Sequence, residues 1–158
     1  MERKSTPLTP AQAKEKIYRF CAYQERTHQE VKNKLYGYGL YRDDVDALMV
    51  HLIEEGFLSE ERFAKTFAGG KFRIKSWGRL KIVHALEGKG ITPACIRIGL
   101  KEIDEAAYLE TLRNILSKKA GTIDSDNPLL VRDKAGRYAI SRGYEPALVW
   151  KEVKTLIP

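Results

Sequence analysis

Apolar residues recur at intervals of three and four positions along most of this chain, with charged and polar residues between them. This spacing places the apolar side chains on one face of an α-helix, so the pattern predicts a succession of amphipathic helices. Glycines follow several of these segments, and Thr9 with Pro10 forms a helix-start signal ahead of the first. The inner face of that first helix is predicted to carry Ala13, Ile17, Phe20 and Cys21.

The helical pattern recurs three times, in register with the glycines Gly39, Gly90 and Gly143. Counted from the residue after each glycine, apolar side chains return at steps of five, nine and twelve positions. Two more apolar residues lie four and eight positions before each glycine, on the preceding helix. The positions are Leu40, Val45, Met49 and Leu52; Ile91, Ile96, Leu100 and Ile103; Tyr144, Val149, Val153 and Leu156; and, before the glycines, Val31, Leu35, Ile82, Leu86, Ala135 and Ala139.

This internal repeat predicts an all-α fold of three tandem three-helix repeats, forming an elongated, curved right- or left-handed helical array. Residues 1–8 are expected to form a disordered lead-in, because the start of the chain is polar and broken by proline. Repeat 1 is predicted to cover residues 9–56, repeat 2 residues 57–103 and repeat 3 residues 104–158, with a longer loop at 118–128.

Two helical patterns meet across a basic segment in repeat 2. Ser59 is the predicted N-cap of the first helix, which carries Phe63 and Phe67 one turn apart. We expect this helix to fray at Gly69-Gly70, after which the segment Lys71–Lys75 alternates charged and apolar side chains. The next helix is predicted to begin near Ser76 and to carry Leu80, Val83 and Leu86 on one face.

Short motifs in this part of the chain keep a specific order and spacing. They are Gly56-Phe57-Leu58, Arg62-Phe63-Ala64, Gly78-Arg79-Leu80-Lys81-Ile82, Leu86 and Lys89-Gly90-Ile91. In these motifs the chain resembles the middle of the bacterial RecX regulatory proteins, best over about residues 35–100. It departs from them at Ser59-Glu60, where an acidic pair is expected.

The resemblance implies a small helical-repeat regulator that binds the recombinase RecA and restrains its filament on DNA. Such a protein would inhibit RecA in recombination, DNA repair and the SOS response, without being an enzyme itself. The partner implied is the RecA filament, with single- and double-stranded DNA contacted weakly or through that filament. The chain is expected to be a monomer. A cytoplasmic location and no membrane partner are expected, because no apolar run approaches the ~20 residues that span a bilayer.

The charge pattern agrees with an anionic partner. The net charge is +7, and it is unevenly distributed along the chain. Seven acids and no Lys or Arg lie within residues 43–61, whereas nine bases and one acid lie within residues 65–101. Phe72 and Trp77 lie among these bases, and either ring could serve to anchor or stack a ligand or simply pack in the core. A solvated helix exterior is the alternative explanation for the charge itself.

A basic stripe across the repeats is expected from the same register. His28, Arg79 and Arg132 lie eleven positions before the repeat glycines, where side chains should point outward or lie at the edge of the core. The predicted surface for RecA or DNA comprises Lys65, Lys71, Arg73, Lys75, Arg79, Lys81, Lys89, Arg132 and Lys134.

The sequence offers no set of residues typical of catalysis. The three histidines lack metal-ligand spacing, Cys21 and Cys95 have no CxxC partner and are interpreted as reduced, buried hydrophobes, and no nucleophile and base can be paired. We therefore expect no enzyme, cofactor or metal. The main alternative function is a stand-alone helical DNA- or RNA-binding module, and a repeat scaffold for a peptide is another.

Overall fold

The computed structural model describes residues 6–158, which form nine α-helices and, within this range, no β-strand. The helices follow one another in groups of three, and each packs mainly against helices of its own group. This arrangement confirms the predicted all-α array of three tandem three-helix repeats. The helices are α1 (Pro10–Tyr23), α2 (His28–Gly37), α3 (Arg42–Glu54), α4 (Glu60–Lys75), α5 (Arg79–Gly88), α6 (Pro93–Leu100), α7 (Glu105–Ala120), α8 (Pro128–Ser141) and α9 (Pro146–Leu156).

Several helix starts lie where the sequence signals place them. The Thr9 hydroxyl accepts a hydrogen bond from the Gln12 N–H at 3.2 Å, and the Gln12 side chain accepts one from the Thr9 N–H at 3.0 Å. Ser59 and Asp104 cap α4 and α7 more simply, since each side chain accepts one hydrogen bond from a backbone N–H three residues further on. The three repeat glycines all have positive φ, between 77° and 101°, a conformation that other residues rarely adopt.

The residues predicted from the repeat register form the core. All six apolar residues that precede the glycines are fully buried. Of the twelve that follow them, Leu100 and Leu156 are half-buried and the others are buried. The repeat in the sequence is therefore a repeat in packing.

The buried residues divide into two separate cores. Repeat 1 has a core of its own, which also contains Leu58 from beyond the predicted boundary at residues 56 and 57. Repeats 2 and 3 share one continuous core that runs from Phe63 to Val153. Within the predicted lead-in, Leu8 packs against the first core and donates a backbone hydrogen bond to the Tyr38 carbonyl at 2.9 Å. Residues 1–5 of that prediction lie outside the described residues, and the exact repeat boundaries stay predictions.

The stacked repeats leave a large surface. The chain exposes 10206 Å², whereas a compact protein of 18.0 kDa exposes about 8,000 Å². Helix groups placed in a row leave more surface exposed than helices packed around one centre. The difference supports an elongated array.

The predicted break at Gly69-Gly70 was wrong, because α4 continues through both glycines to Lys75. Two helical glycines cost about 1 kcal/mol each relative to alanine. Tertiary packing offsets this cost, since Phe72 is buried against Tyr108 with the ring centroids 5.8 Å apart. The helix ends instead at Ser76, which has a left-handed backbone with φ 56°.

The predicted inner face of α5 was also partly wrong. Leu80 is 50% exposed, whereas Ile82 and Leu86 are fully buried, as the repeat register predicted. Ile82 and Leu86 lie one turn apart on α5 and so share the side that faces the core. Leu80 lies on another side of the same helix. The loop of repeat 3 is shorter than the predicted 118–128, since α7 continues to Ala120 and α8 begins at Pro128.

Candidate partner-binding surface

Repeats 2 and 3 meet where the turn before α5 contacts the turn before α9. The Gly78 N–H donates to the Arg142 carbonyl at 2.9 Å, and the Leu80 N–H donates to the Gly143 carbonyl at 2.9 Å. The Tyr144 hydroxyl donates to the Ser76 carbonyl at 3.0 Å. A Cβ atom at Gly78 would overlap the backbone of Gly143, so the two turns touch backbone to backbone. We call this contact, residues 76–80 against 142–145, the repeat 2–3 joint.

Arg79 lies at the centre of the joint and is largely neutralised within the molecule. Its guanidinium forms ion pairs with Glu145, at 2.9 Å, and with Glu105, and lies 3.9 Å from the centroid of the Tyr108 ring. Its side chain is only 20% exposed. The Tyr108 hydroxyl in turn donates a hydrogen bond to Glu145. Of the two placements that the repeat register allowed, Arg79 therefore takes the edge of the core and does not point outward.

The pKa shifts at the joint have structural causes. Burial lowers the pKa of Arg79, but its hydrogen bonds with Glu105 and Glu145 outweigh this, so that pKa is raised overall. Burial raises the pKa of Tyr108, and the hydrogen bond to Glu145 raises it further. Burial also raises the pKa of Tyr144 to about 12. Both tyrosines stay neutral at ordinary pH and can donate hydrogen bonds, which suits a structural contact between repeats.

Two further bases of the predicted surface also have internal partners. The half-buried Arg132 donates from Nε to the Ile157 carbonyl. Lys65 forms an ion pair with Glu61 at 3.4 Å, one turn away on α4. Since Arg79 and Arg132 both turn to partners within the chain, the expected stripe across the repeats is interrupted at these positions. Lys134 is exposed on α8.

Three lysines of repeat 2 lie instead over two aromatic rings. The Lys71 ammonium is 5.4 Å from the centroid of Phe67 and 4.9 Å from that of Trp77. The Lys81 ammonium is 4.6 Å from the centroid of Trp77, and that of Lys89 is 5.7 Å from the centroid of Phe67. The two rings meet edge to face, with centroids 6.3 Å apart. We call these five residues the lysine–aromatic site.

The lysine–aromatic site retains its positive charge. Within residues 6–158, Lys71, Lys81 and Lys89 have no carboxylate within 4.0 Å. Arg73 and Lys75 are exposed at the end of α4, and Ile74 between them is 79% exposed. Phe72 is 6% exposed, so of the two roles left open for it, packing in the core is the one that the structure shows.

Sequence reasoning took Phe67 only as an inner-face residue of its helix. Its spacing of four residues from Lys71 on α4 was the available signal, because such pairs are neighbours on a helix surface. Lys81 and Lys89 come from the next helix and the turn after it. Their approach to the rings depends on how α4 and α5 pack.

An open cleft of about 470 Å³ lies between the start of α2 in repeat 1 and the turn after α5 in repeat 2. Its polar lining includes Gln29 and Asn33 on one side and Lys89 on the other. Lys89 therefore connects the cleft with the lysine–aromatic site. Near the same boundary, Arg62 of repeat 2 pairs with Glu25 of repeat 1.

Other kinds of site find little support in the described part of the chain. No group of three His, Cys, Asp or Glu residues there is placed to hold a metal ion. Cys21 is buried in the first core, and Cys95 is half-buried against the second. None of the helices in residues 6–158 combines the length and apolar character that crossing a membrane requires.

Comparison with known proteins decides the family. The family model described as RecX, second three-helix domain, matches residues 59–100. The regulatory protein RecX of Pseudomonas savastanoi pv. phaseolicola (strain 1448A / Race 6) is 30% identical over 141 residues, which cover 86% of each protein. This chain belongs to the RecX family. The RecX match at residues 59–100 contains the whole lysine–aromatic site and Arg79.

Other RecX proteins support the assignment over most of the chain. The regulatory protein RecX of Clostridium tetani (strain Massachusetts / E88) is 27% identical over 88% of this chain. The chain covers 62% of that protein, and 57% of its counterpart from Clostridium perfringens (strain 13 / Type A). The crystal structure of RecX from Lactobacillus salivarius superposes with a TM-score of 0.86, at 18% identity, covering 93% of this chain and 96% of that one. At this identity the likeness establishes the RecX fold.

Proposed function

We propose that this protein regulates homologous recombination by binding the RecA nucleoprotein filament. Bound there, it would inhibit ATP hydrolysis, filament extension and strand exchange. The observation that carries the proposal is membership of the RecX family, whose members matched here are named regulatory proteins. A cytoplasmic location and action as a monomer belong to the same proposal.

Action by binding, and not by catalysis, is part of the proposal. The tyrosines of strongly raised pKa at the joint, Tyr108 and Tyr144, form hydrogen bonds within the chain. Neither lies in a cleft beside a nucleophile, as a catalytic acid or base would. The joint supports a rigid pairing of repeats 2 and 3, which would present their surfaces to a partner as one unit.

The charged surface supports a partner made of protein and nucleic acid. Exposed acids lie on α3 of repeat 1, whereas exposed bases lie on repeat 2, including Arg73, Lys75 and Lys89. We propose that the bases without internal partners form the contact with the filament. Arg79 and Arg132 act mainly by supporting the fold. This uneven distribution of charge between neighbouring repeats would favour one orientation on the filament.

The test is DNA-dependent ATP hydrolysis by RecA from the same organism, titrated with this protein below equimolar amounts. We expect inhibition by the wild type and at least several-fold weaker inhibition by the double variant Arg73→Gln, Lys75→Gln. The matched control is Lys16→Gln, Lys32→Gln, which removes the same charge from exposed positions of repeat 1. Replacing Arg79 would confuse the test, because it would also break the joint.

Absence of both inhibition and filament binding by the wild type would contradict the proposed function. In that case, tight and sequence-dependent binding to DNA or RNA without RecA would favour the stand-alone nucleic-acid module. Equal inhibition by the double variant and the wild type would leave the regulatory function standing. It would show that Arg73 and Lys75 are not part of the contact.

A further inference from the structure

The lysine–aromatic site holds its charges differently from the bases that form ion pairs. Arg26 and Lys34 of repeat 1 also lie over a shared ring, that of Phe20, but only in the lysine–aromatic site do three lysines gather on two touching rings within residues 6–158. Arg62, Arg79 and Arg113 each have a carboxylate partner. Lys71, Lys81 and Lys89 have aromatic partners instead. A ring attracts an ammonium group by about 0.5–1 kcal/mol at an exposed site but removes none of its charge. The site therefore gathers three full positive charges.

The rings are better suited to positioning lysines than to stacking on a base. Both Lys71 and Lys81 hold their ammonium groups within 5 Å of the centroid of Trp77. A base that stacked on the covered part of this ring would have to displace a lysine. The Trp77 and Phe67 rings also contact each other edge to face, with an interplanar angle of 71°. This contact covers a further part of their surface. Contacts to a ligand would come chiefly from the ammonium groups.

The groups of the site form one connected cluster, in which Lys71 lies near both rings. Lys81 lies over Trp77, Trp77 contacts Phe67, and Lys89 lies over Phe67. The successive separations are 4.6, 6.3 and 5.7 Å. Beyond Lys89 the surface continues into the polar cleft between repeats 1 and 2, which is lined by Gln29 and Asn33 but also by the carboxylates Glu30 and Glu60. The two carboxylates would repel an anion inside the cleft, so an anionic ligand would contact the three lysines on the surface beside it.

We propose that the lysine–aromatic site binds the phosphodiester backbone of a nucleic acid strand directly and without reading its bases. Lysine ammonium groups are common phosphate contacts, and such contacts carry no sequence information. Protein–protein interfaces are instead depleted in lysine and enriched in arginine and buried aromatic residues. The proposal deepens the proposed function and rests on it for the assembly that supplies the strand. The binding itself needs no RecA.

The stem of Lys81 adds a structural detail to this proposal. A Cβ atom at Gly143 would overlap the Lys81 Cβ, so the missing side chain leaves room for this lysine against repeat 3. One lysine of the site is thus held by the repeat 2–3 joint, whereas Lys89 is exposed at the other end. The site spans the surface from the joint to the cleft.

The experiment measures binding of the full chain to fluorescent oligonucleotides by anisotropy, without RecA, over a series of salt concentrations. Single-stranded oligothymidine, single-stranded oligoadenine and a mixed-sequence duplex are the probes. For the triple variant Lys71→Gln, Lys81→Gln, Lys89→Gln we expect the slope of log K against log salt to become shallower by about 2 on single strands and by nearly 3 on the duplex. Wild-type affinity should differ little between oligothymidine and oligoadenine.

The control variant Lys16→Gln, Lys32→Gln, Lys154→Gln removes the same charge from exposed positions of repeats 1 and 3. We expect its salt slopes to match those of the wild type. The single variant Lys89→Gln changes an exposed side chain and should reduce the single-strand slope by about 0.7 even if the triple variant folds poorly. Circular dichroism establishes that each variant is folded.

Unchanged salt slopes in Lys89→Gln and in the folded triple variant would overturn the proposal, as would an equal loss in the control. Loss of RecA binding with unchanged DNA binding would show that the site meets an acidic protein surface instead. Direct DNA binding through the three lysines without any effect on RecA would contradict the proposed function but not this site.

Discussion

The Tyr108 hydroxyl in α7 accepts a hydrogen bond from the backbone N–H of Arg79 in α5, at 3.0 Å. This N–H belongs to the first residue of α5 and has no acceptor within its own helix. The N-cap residue, Gly78, has no side chain that could accept the bond, because a Cβ there would overlap repeat 3. Repeat 3 therefore caps a helix of repeat 2 across the joint.

Replacing Tyr108 by Phe should destabilise the protein by about 1–3 kcal/mol, since the Arg79 N–H loses its acceptor and Glu145 loses a donor. Urea unfolding followed by circular dichroism measures the change. Tyr36→Phe is the matched control, because Tyr36 is 47% exposed and makes no side-chain hydrogen bond in the described structure. Its unfolding free energy should change by less than about 0.5 kcal/mol. Equal effects of both substitutions would contradict the cap.

Two glycines of repeat 2, one at the joint and one away from it, should respond differently to substitution by alanine. Gly78→Ala should destabilise the protein by more than about 3 kcal/mol, because its Cβ would meet the backbone of Gly143 and Tyr144. Gly88→Ala should be neutral or stabilise by up to about 1 kcal/mol, since its Cβ would meet nothing within 4 Å at the end of α5. Thermal unfolding measures both, and a tolerant Gly78 would rule out the close approach.

Alkaline pH should destabilise the protein through its buried tyrosines. Burial raises the pKa of Tyr144 from an ordinary value near 10 to about 12, so the folded state keeps a proton that the unfolded state loses. This contribution to stability is fully present below pH 10 and is lost as pH rises toward 12. Over that interval each such tyrosine lowers the unfolding free energy by up to about 1.4 kcal/mol per pH unit.

Tyr144→Phe tests this effect. The variant should be less stable at pH 8, because it lacks the hydrogen bond to the Ser76 carbonyl. Its unfolding free energy should nevertheless fall less steeply above pH 10 than that of the wild type. Urea unfolding at several pH values between 8 and 11.5 compares the two. Parallel curves would mean that Tyr144 ionises in the folded protein as readily as in the unfolded chain.

The continuous α4 helix predicts unequal roles for two apolar residues near its end. Phe72→Ala should cost about 3–5 kcal/mol, because Phe72 is 6% exposed and packs against Tyr108. Ile74→Ala should change stability by less than about 0.5 kcal/mol, since Ile74 is 79% exposed. Urea unfolding distinguishes the two. Similar losses of stability in the two variants would contradict a helical Lys71–Lys75, in which Phe72 faces the core and Ile74 faces solvent.

The core could be predicted from sequence because the repeat supplies its own register. Gly39, Gly90 and Gly143 share a positive φ that only glycine adopts easily, and so they mark equivalent points in three repeats. The break predicted at Gly69-Gly70 failed for the converse reason. Local propensity disfavours glycine in a helix, but the burial of Phe72 against a helix of repeat 3 outweighs it.

The candidate site was predicted only in part. The density of lysines in repeat 2 was visible in the sequence, and Lys71, Lys81 and Lys89 were among the predicted residues. The internal role of Arg79 was not visible, because its partners Glu105 and Glu145 lie 26 and 66 residues further along the chain. Which bases remain free depends on contacts between repeats, and a pattern within one repeat carries no information about these.

The division into two cores has a mechanical consequence. Six helices that share one core, from α4 to α9, should resist bending as a single body, whereas α1–α3 form an arm with an interior of its own. Where the two meet, the open cleft leaves space for the arm to tilt without disturbing either interior. Under the proposed function the partner is a filament, and we expect any adjustment to its shape to be concentrated at that one boundary.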